Sequence, residues 1–287
     1  MSRVLARPET HRPSTASVDR ERAATGGRRR ARGPSGTLVR VLLRVVSVVL
    51  IFAGWQLVSL AVSTNVVPTP ATTWAAWLDA LADGYVWTDM LITFGRIVVA
   101  FALSLLLAVT FGMLLGTLGW FAGMFDYWVT IAASIPSLLY IVVAYLWLGL
   151  NETAAIVAAA LVVAPSATFN VWQGVKAIDP GLSEMARAFE VPRWTIARRV
   201  LLPQTVPYLF AAARSGLALT WKIVIFVELM GRSSGVGYRI QYWYNLFNMG
   251  RVLASAIPFM MVMLLVELVV VRKLELYLFR WQRSELR

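Results

Sequence analysis

From Val45 to Leu78 the chain carries no charged side chain, and no other feature narrows its possible folds as much. The apolar part of this run, about residues 45–62, is long enough at ~1.5 Å per residue to cross a hydrocarbon core of ~30 Å. Similar runs follow. Residues 97–118, 127–149 and 153–173 are free of charge, and 252–271 holds only Glu267. The stretch 208–230 holds Arg214, Lys222 and Glu228, yet 20 of its 23 residues are uncharged. A backbone in lipid must satisfy its own hydrogen bonds, so these runs predict an all-α membrane protein with six transmembrane helices. Pro136 is expected to kink the third of them. The first span is read as an uncleaved anchor, because its apolar core exceeds the ~7–15 residues of a signal peptide.

Composition removes most other classes. With 59% hydrophobic and 15% charged residues and a mean hydropathy of +0.67, a soluble globular enzyme is disfavoured. The absence of cysteine excludes disulfides, thiolate metal sites and cysteine nucleophiles. His11 is the one histidine and lies in the polar N-terminal segment, which leaves none for a proton relay or zinc site in the apolar body. No catalytic residue, metal or cofactor is therefore expected.

A net charge of +12 would suggest nucleic acid in a soluble chain, but here position decides its meaning. Segments 1–44, 119–126, 174–207 and 272–287 hold 11, 0, 5 and 5 Lys and Arg residues, against 0, 0 and 3 in 63–90, 150–152 and 231–251. The positive-inside rule then puts both termini of a multi-pass membrane protein in the cytoplasm, with no nucleic-acid role. Residues 1–37 are too polar to bury a core and are read as a disordered, Arg-rich cytoplasmic tail. That tail either marks topology or holds anionic membrane lipid. Residues 281–287 form a short second tail. The outer segments carry Trp74, Trp77, Tyr85, Trp87, Tyr238, Tyr242, Trp243 and Tyr244, as an interfacial belt would.

The most informative cytoplasmic segment covers about residues 177–205. Asp179 suits an N-cap and Pro180 the first helical position. Leu182, Met185, Ala186 and Phe189 recur at three- to four-residue spacing and so share one face. Pro192 ends this helix and starts a second, which sets Trp194, Ile196 and Val200 among Arg193, Arg198 and Arg199. Two short amphipathic helices at a bend are expected. An exposed apolar face there needs a partner, or else packs on its own membrane domain.

These residues resemble the "EAA" loop of permease subunits of binding-protein-dependent ABC importers. The family pattern is Glu-Ala-Ala, three residues, Gly, nine residues, then Ile-x-Leu-Pro. Glu184, Ala186, Leu202 and Pro203 match it, Met185 replaces the first alanine, and Glu190 stands at the glycine position. Pro192 is then expected to impose the bend. The resemblance covers about residues 38–280. It extends to Val67-Pro68-Thr69-Pro70, Phe94-Gly95-Arg96, Ala133-Ser134-Ile135-Pro136 and Glu228 to Tyr238, marks similar to those of the nitrate, sulfonate and taurine branch. It implies a type I importer permease without catalysis of its own. Glu184, Ala186, Arg187, Phe189, Glu190, Pro192, Leu202 and Pro203 would form the ATPase-coupling loop. Its implied partners are two ATP-binding cassette subunits, a second permease copy and an extracytoplasmic substrate-binding protein. The chain holds no Gly-x-x-x-x-Gly-Lys-Ser/Thr phosphate loop, so ATP belongs to another subunit. Competing readings are an ATP-independent six-helix carrier or channel, a permease for a heterocyclic vitamin precursor, and an intramembrane enzyme.

Charges within spans are costly unless paired or wetted. Matching depths predict the pairs Arg96–Glu228 and Arg214–Glu267. Lys222 is left over: it lines an aqueous pathway and attracts anionic substrate, or it is held structurally. Gly112 and Gly116 are placed to let two helices approach closely. Gly235 and Gly237 are read as shaping an outer turn.

Overall fold

The computed structural model describes residues 35–63 and 66–278, and among these every regular element is helical. The Arg-rich segment up to residue 34 and the tail 281–287 lie outside the described residues. By compactness the chain divides at Gly54 into two units. The first contributes most of α1 (Ser35–Val62). All elements described below belong to the second.

Five helices are long and apolar enough to cross a membrane, and a bent pair of helices is a sixth candidate when taken as one span. The residues 97–118 fall within α3 (Tyr85–Thr117), and 153–173 within α6 (Glu152–Lys176). The third span differs from expectation. It is two helices, α4 (Gly119–Ser134) and α5 (Ser137–Leu148), turned by 97°. Ile135 and Pro136 both take extended ψ values near 130°. Proline disfavours the helical region for its predecessor and donates no N–H, so the helix can break there as well as kink, and here it breaks.

The centre of the unit is α6, packed between α3 and α9 (Leu202–Gly231). Its sequence explains why. Asn151 caps its first turn by accepting from Ala154 N at 2.8 Å, with Glu152 at the positive and Lys176 at the negative end of the dipole. Ala154, Ala155, Ala158, Ala159 and Ala160 are all buried, so neighbouring backbones approach closely on several sides. In lipid such contact, not hydrophobic expulsion, drives helix association. On α3, a Cβ at Gly112 would lie 2.7 Å from Val171 Cβ, and one at Gly116 would collide with Val175. The two glycines are thus the seam against α6. Helices α5, α10 (Val236–Asn245) and α11 (Met249–Leu265) close the core around Ile141, Val224, Val227, Val236 and Phe259. Helix α2 (Pro70–Ala82) starts on a Thr69 cap and lies on α11.

Candidate functional site

Two polar features stand at opposite ends of α6 and α9, since α6 ends, and α9 begins, at the loop 177–205. At the loop end, Asp179 accepts from Gly181 N at 2.8 Å and Pro180 opens α7 (Pro180–Ala188), as expected. The helix closes through Val191 N to Ala186 O at 3.0 Å and Glu190 N to Arg187 O at 2.9 Å. That pair of bonds is a Schellman motif, and its left-handed position is Glu190, with φ +54°. The glycine position of the family pattern is therefore the site where the chain turns left-handed. The bend is made at Glu190, ahead of Pro192, which corrects the expectation that Pro192 imposes it.

The second loop helix also differs. Helix α8 (Arg193–Ile196) is not separate, because it runs through a widened π-type stretch, Ala197–Leu201, straight into α9. Pro203 and Pro207 sit near that junction, and proline leaves carbonyls one turn earlier without donors, which a widened turn accommodates. Loop and span are thus one helix from Trp194 to Gly231. On the loop surface Met185 (55%), Phe189 (76%) and Trp194 (73%) are exposed, as are Glu184, Arg187 and Pro192, while Ala186 and Ile196 are buried. The apolar residues of α7 therefore divide, Ala186 turning inward and Met185 and Phe189 outward. Leu202 is half exposed, and Pro203 lies under α7 in a groove shared with Met185 and Tyr208.

An L-residue in the left-handed region costs roughly 1 kcal/mol that glycine avoids. Glu190→Gly is expected to stabilise the loop by about 0.5–1 kcal/mol, read as slower amide exchange at Phe189 to Val191. Unchanged or faster exchange would show that Glu190 is held by contacts worth more than the strain.

At the other end lies a buried ionic cluster. Arg96, only 3% exposed, uses all five guanidinium donors. Its Nε and Nη2 donate to the two carboxylate oxygens of Glu152 at 2.6 and 2.9 Å. Its Nη1 donates to Glu228 Oε1 and to Ser234 O, each at 2.7 Å, and Nη2 also reaches Ser234 Oγ at 2.9 Å. Glu228 is fully buried and accepts further from Thr93 Oγ1 at 2.9 Å and Gly237 N at 2.8 Å. Thr93 in turn accepts from Val236 N at 2.9 Å. Arg232 pairs with Glu152 at 2.8 Å, and Arg239 with Asp89 at 2.7 Å. Three arginines thus face three carboxylates, and every such charge is partnered.

The glycines after α9 serve this cluster. Gly235 has φ +101°, and a Cβ there would run into the Glu228 carboxylate. One at Gly237 would lie 2.5 Å from Ile225 O. They shape the turn that folds back over Glu228. Sequence reasoning paired Arg96 with Glu228 but missed Glu152, Thr93, Ser234 and Asp89. Glu152 immediately precedes the charge-free run 153–173, and a carboxylate next to the N-terminus of a membrane helix is itself a signal. Two aromatics of the expected belt, Tyr85 and Trp243, stack under Arg239 (4.3 Å) and Arg251 (4.5 Å) instead.

The second predicted pair is corrected. Arg214 bonds Glu275 Oε2 at 2.8 Å, not Glu267, although Arg214 and Glu267 line one small cavity. The widened stretch Val266–Val271 rephases the last helix after Glu267, and a long arginine side chain reaches toward the polar end of its span. Lys222 is exposed on α9, its Nζ 5.6 Å from the Trp221 ring centroid.

Several long apolar helices around an alanine-rich centre, joined at one end by a helical loop, are the architecture of a multi-pass membrane protein. The chain belongs to the family of binding-protein-dependent transport system inner membrane components, whose match covers residues 105–274. It is 28% identical over 215 residues to a probable ABC transporter permease of Brucella melitensis, covering 75% of this chain and 87% of that protein. It is 29% identical over 240 residues to the putative aliphatic sulfonates transport permease of Bacillus subtilis, covering 82% and 85%. The nitrate import permease of Synechococcus elongatus is 22% identical over 211 residues, covering 70% and 76%.

Proposed function

We propose that the chain is the membrane-spanning subunit of an ABC importer that carries a small oxyanion, a sulfonate, taurine or nitrate, into the cytoplasm. The observation that carries this is the loop: its exposed face, with Met185, Phe189 and Trp194, stands on a helix continuous with the spanning α9. A partner that moves the loop therefore moves the span. In this reading Glu184, Ala186, Arg187, Phe189, Glu190, Pro192, Leu202 and Pro203 form the seat of an ATPase on each of two permease copies. A binding protein delivers solute to the opposite face, where Arg232, Arg239 and Arg251 lie. Both termini are cytoplasmic, following the 21 to 3 division of basic residues. The substrate class follows the relatives named for aliphatic sulfonates and nitrate.

The test is reconstitution. The permease, co-expressed with its cognate ATPase and binding protein, should purify with the ATPase. In proteoliposomes it should then import the binding protein's ligand only with ATP. Uptake that proceeds without the ATPase would overturn this reading in favour of an autonomous carrier.

A further inference from the structure

Helix α6 is the most buried span, but its loop-side half is not uniformly so. Ser166, Asn170 and Gln173 are exposed there, and their spacing of four and three residues sets them on one face. Asn170 Nδ2 donates to Ser215 Oγ on α9 at 3.3 Å, which places that face beside α9. On α9, Lys222 is exposed seven residues beyond Ser215. At ~100° per residue it shares Ser215's face, roughly 10 Å further along the axis. Two antiparallel helices therefore present one polar line, Gln173, the Asn170–Ser215 bond, Ser166 and Lys222, with Phe169 and Phe226 exposed beside it.

Such a line cannot face lipid cheaply. Amide and hydroxyl groups in hydrocarbon lose hydrogen bonds that nothing replaces, and an ammonium loses more. Elsewhere on the spans the exposed positions read differently: between Val98 and Met113 on α3 they are Val98, Val99, Ala102, Leu106, Phe111, Met113 and one polar residue, Thr110, whose hydroxyl donates to Leu106 O of its own helix. The contrast separates a lipid-facing surface from a wetted one. Each group on the line can donate a hydrogen bond, none carries a negative charge and one is a cation, which suits a small anion bearing acceptor oxygens.

We infer that this α6–α9 line is the wall of an aqueous conduit for oxyanions, with Lys222 as its electrostatic attractor. The inference rests on the transport reading above but is tested without transport. The chain has no native cysteine, so single cysteines report cleanly. Ser166→Cys, Ser215→Cys and, as control, Leu106→Cys are placed in the full chain, co-expressed with its ATPase in membrane vesicles. Each is treated with an anionic sulfonatoethyl or a cationic trimethylammonioethyl thiosulfonate reagent, with rates normalised to a free thiol. Positions 166 and 215 should react with both reagents, and Leu106→Cys with neither, only with a lipid-soluble maleimide. The normalised anion-to-cation ratio at 166 and 215 should be about fivefold or more, the scale of focusing in a charged cleft. It should fall toward one when Lys222→Gln is added.

No reaction at either serine would overturn the conduit and show the line buried against another helix. Reaction without anion preference, or a preference that survives Lys222→Gln, would overturn the assignment of Lys222. Labelling as expected in a chain that binds no ATPase would leave the conduit standing and overturn only the importer reading.

Discussion

Replacing Arg96 by methionine is expected to remove about 3–5 kcal/mol of stability, the usual cost of leaving a buried charge without its partner. The guanidinium bonds Glu152, Glu228 and Ser234 together, and Glu228 beneath it is fully buried. Without Arg96, Glu228 keeps only Thr93 and the Gly237 amide. Those neutral donors satisfy lone pairs but do not balance a charge. Glu152 keeps Arg232 at 2.8 Å, so it is the lesser problem. Denaturant titration in micelles, followed by the fluorescence of the 12 tryptophans, measures the loss. The double variant Arg96→Met with Glu228→Leu should recover a good part of it, because an apolar pair often substitutes for a buried ionic one. Recovery will be incomplete, since Thr93 and the Gly237 N–H lose their acceptor at about 1–3 kcal/mol per orphaned group. A single-variant loss below about 1 kcal/mol, typical of an exposed ion pair, would mean that water reaches Glu228.

The partners of Arg96 also show what a sequence can and cannot disclose. Charge-free runs are long and unmistakable, so the spans were legible wherever one helix makes one crossing. The cap at Asp179 and Pro180 was legible because capping is local chemistry. Arg96 and Glu228 could be matched by depth, since both lie near span ends and straight helices preserve depth. The same counting failed for Arg214, where the widened stretch after Glu267 and the length of an arginine side chain bring Glu275 within reach. Proline at 136 permits either a kink or a break, and only packing of the two halves against α3 and α6 selects the 97° turn. Ser166, Asn170 and Gln173 went unnoticed because averaging over a span of alanine and valine hides a stripe one residue wide. Glu190 was noticed as a departure from the pattern. Its left-handed φ was not foreseeable, because a glutamate carries no local signal for that conformation.

The other large effect is expected at the loop. Helix α9 is held at one end by the cluster through Glu228, and its other end is continuous with α8, which carries the exposed Trp194. A span fixed at one end and pushed at the other transmits displacement, so the contact that pushes should be separable from the fold. Phe189 is 76% exposed and Met185 55%, so truncating them opens no cavity. Phe189→Ala with Met185→Ala should therefore leave the micelle unfolding curve within about 0.5 kcal/mol of the parent. The same pair, as the apolar anchors of an interface, should cost about 2 kcal/mol or more in ATPase binding. That loss is roughly thirtyfold in affinity, with a comparable fall in ATP-driven uptake. Arg96→Met would show the reverse order, losing the fold before any coupling could be measured. If the loop variant binds ATPase with parental affinity, the seat lies elsewhere on this face. If it unfolds with Arg96→Met, the exposed face packs on its own membrane domain and the loop is no coupling element.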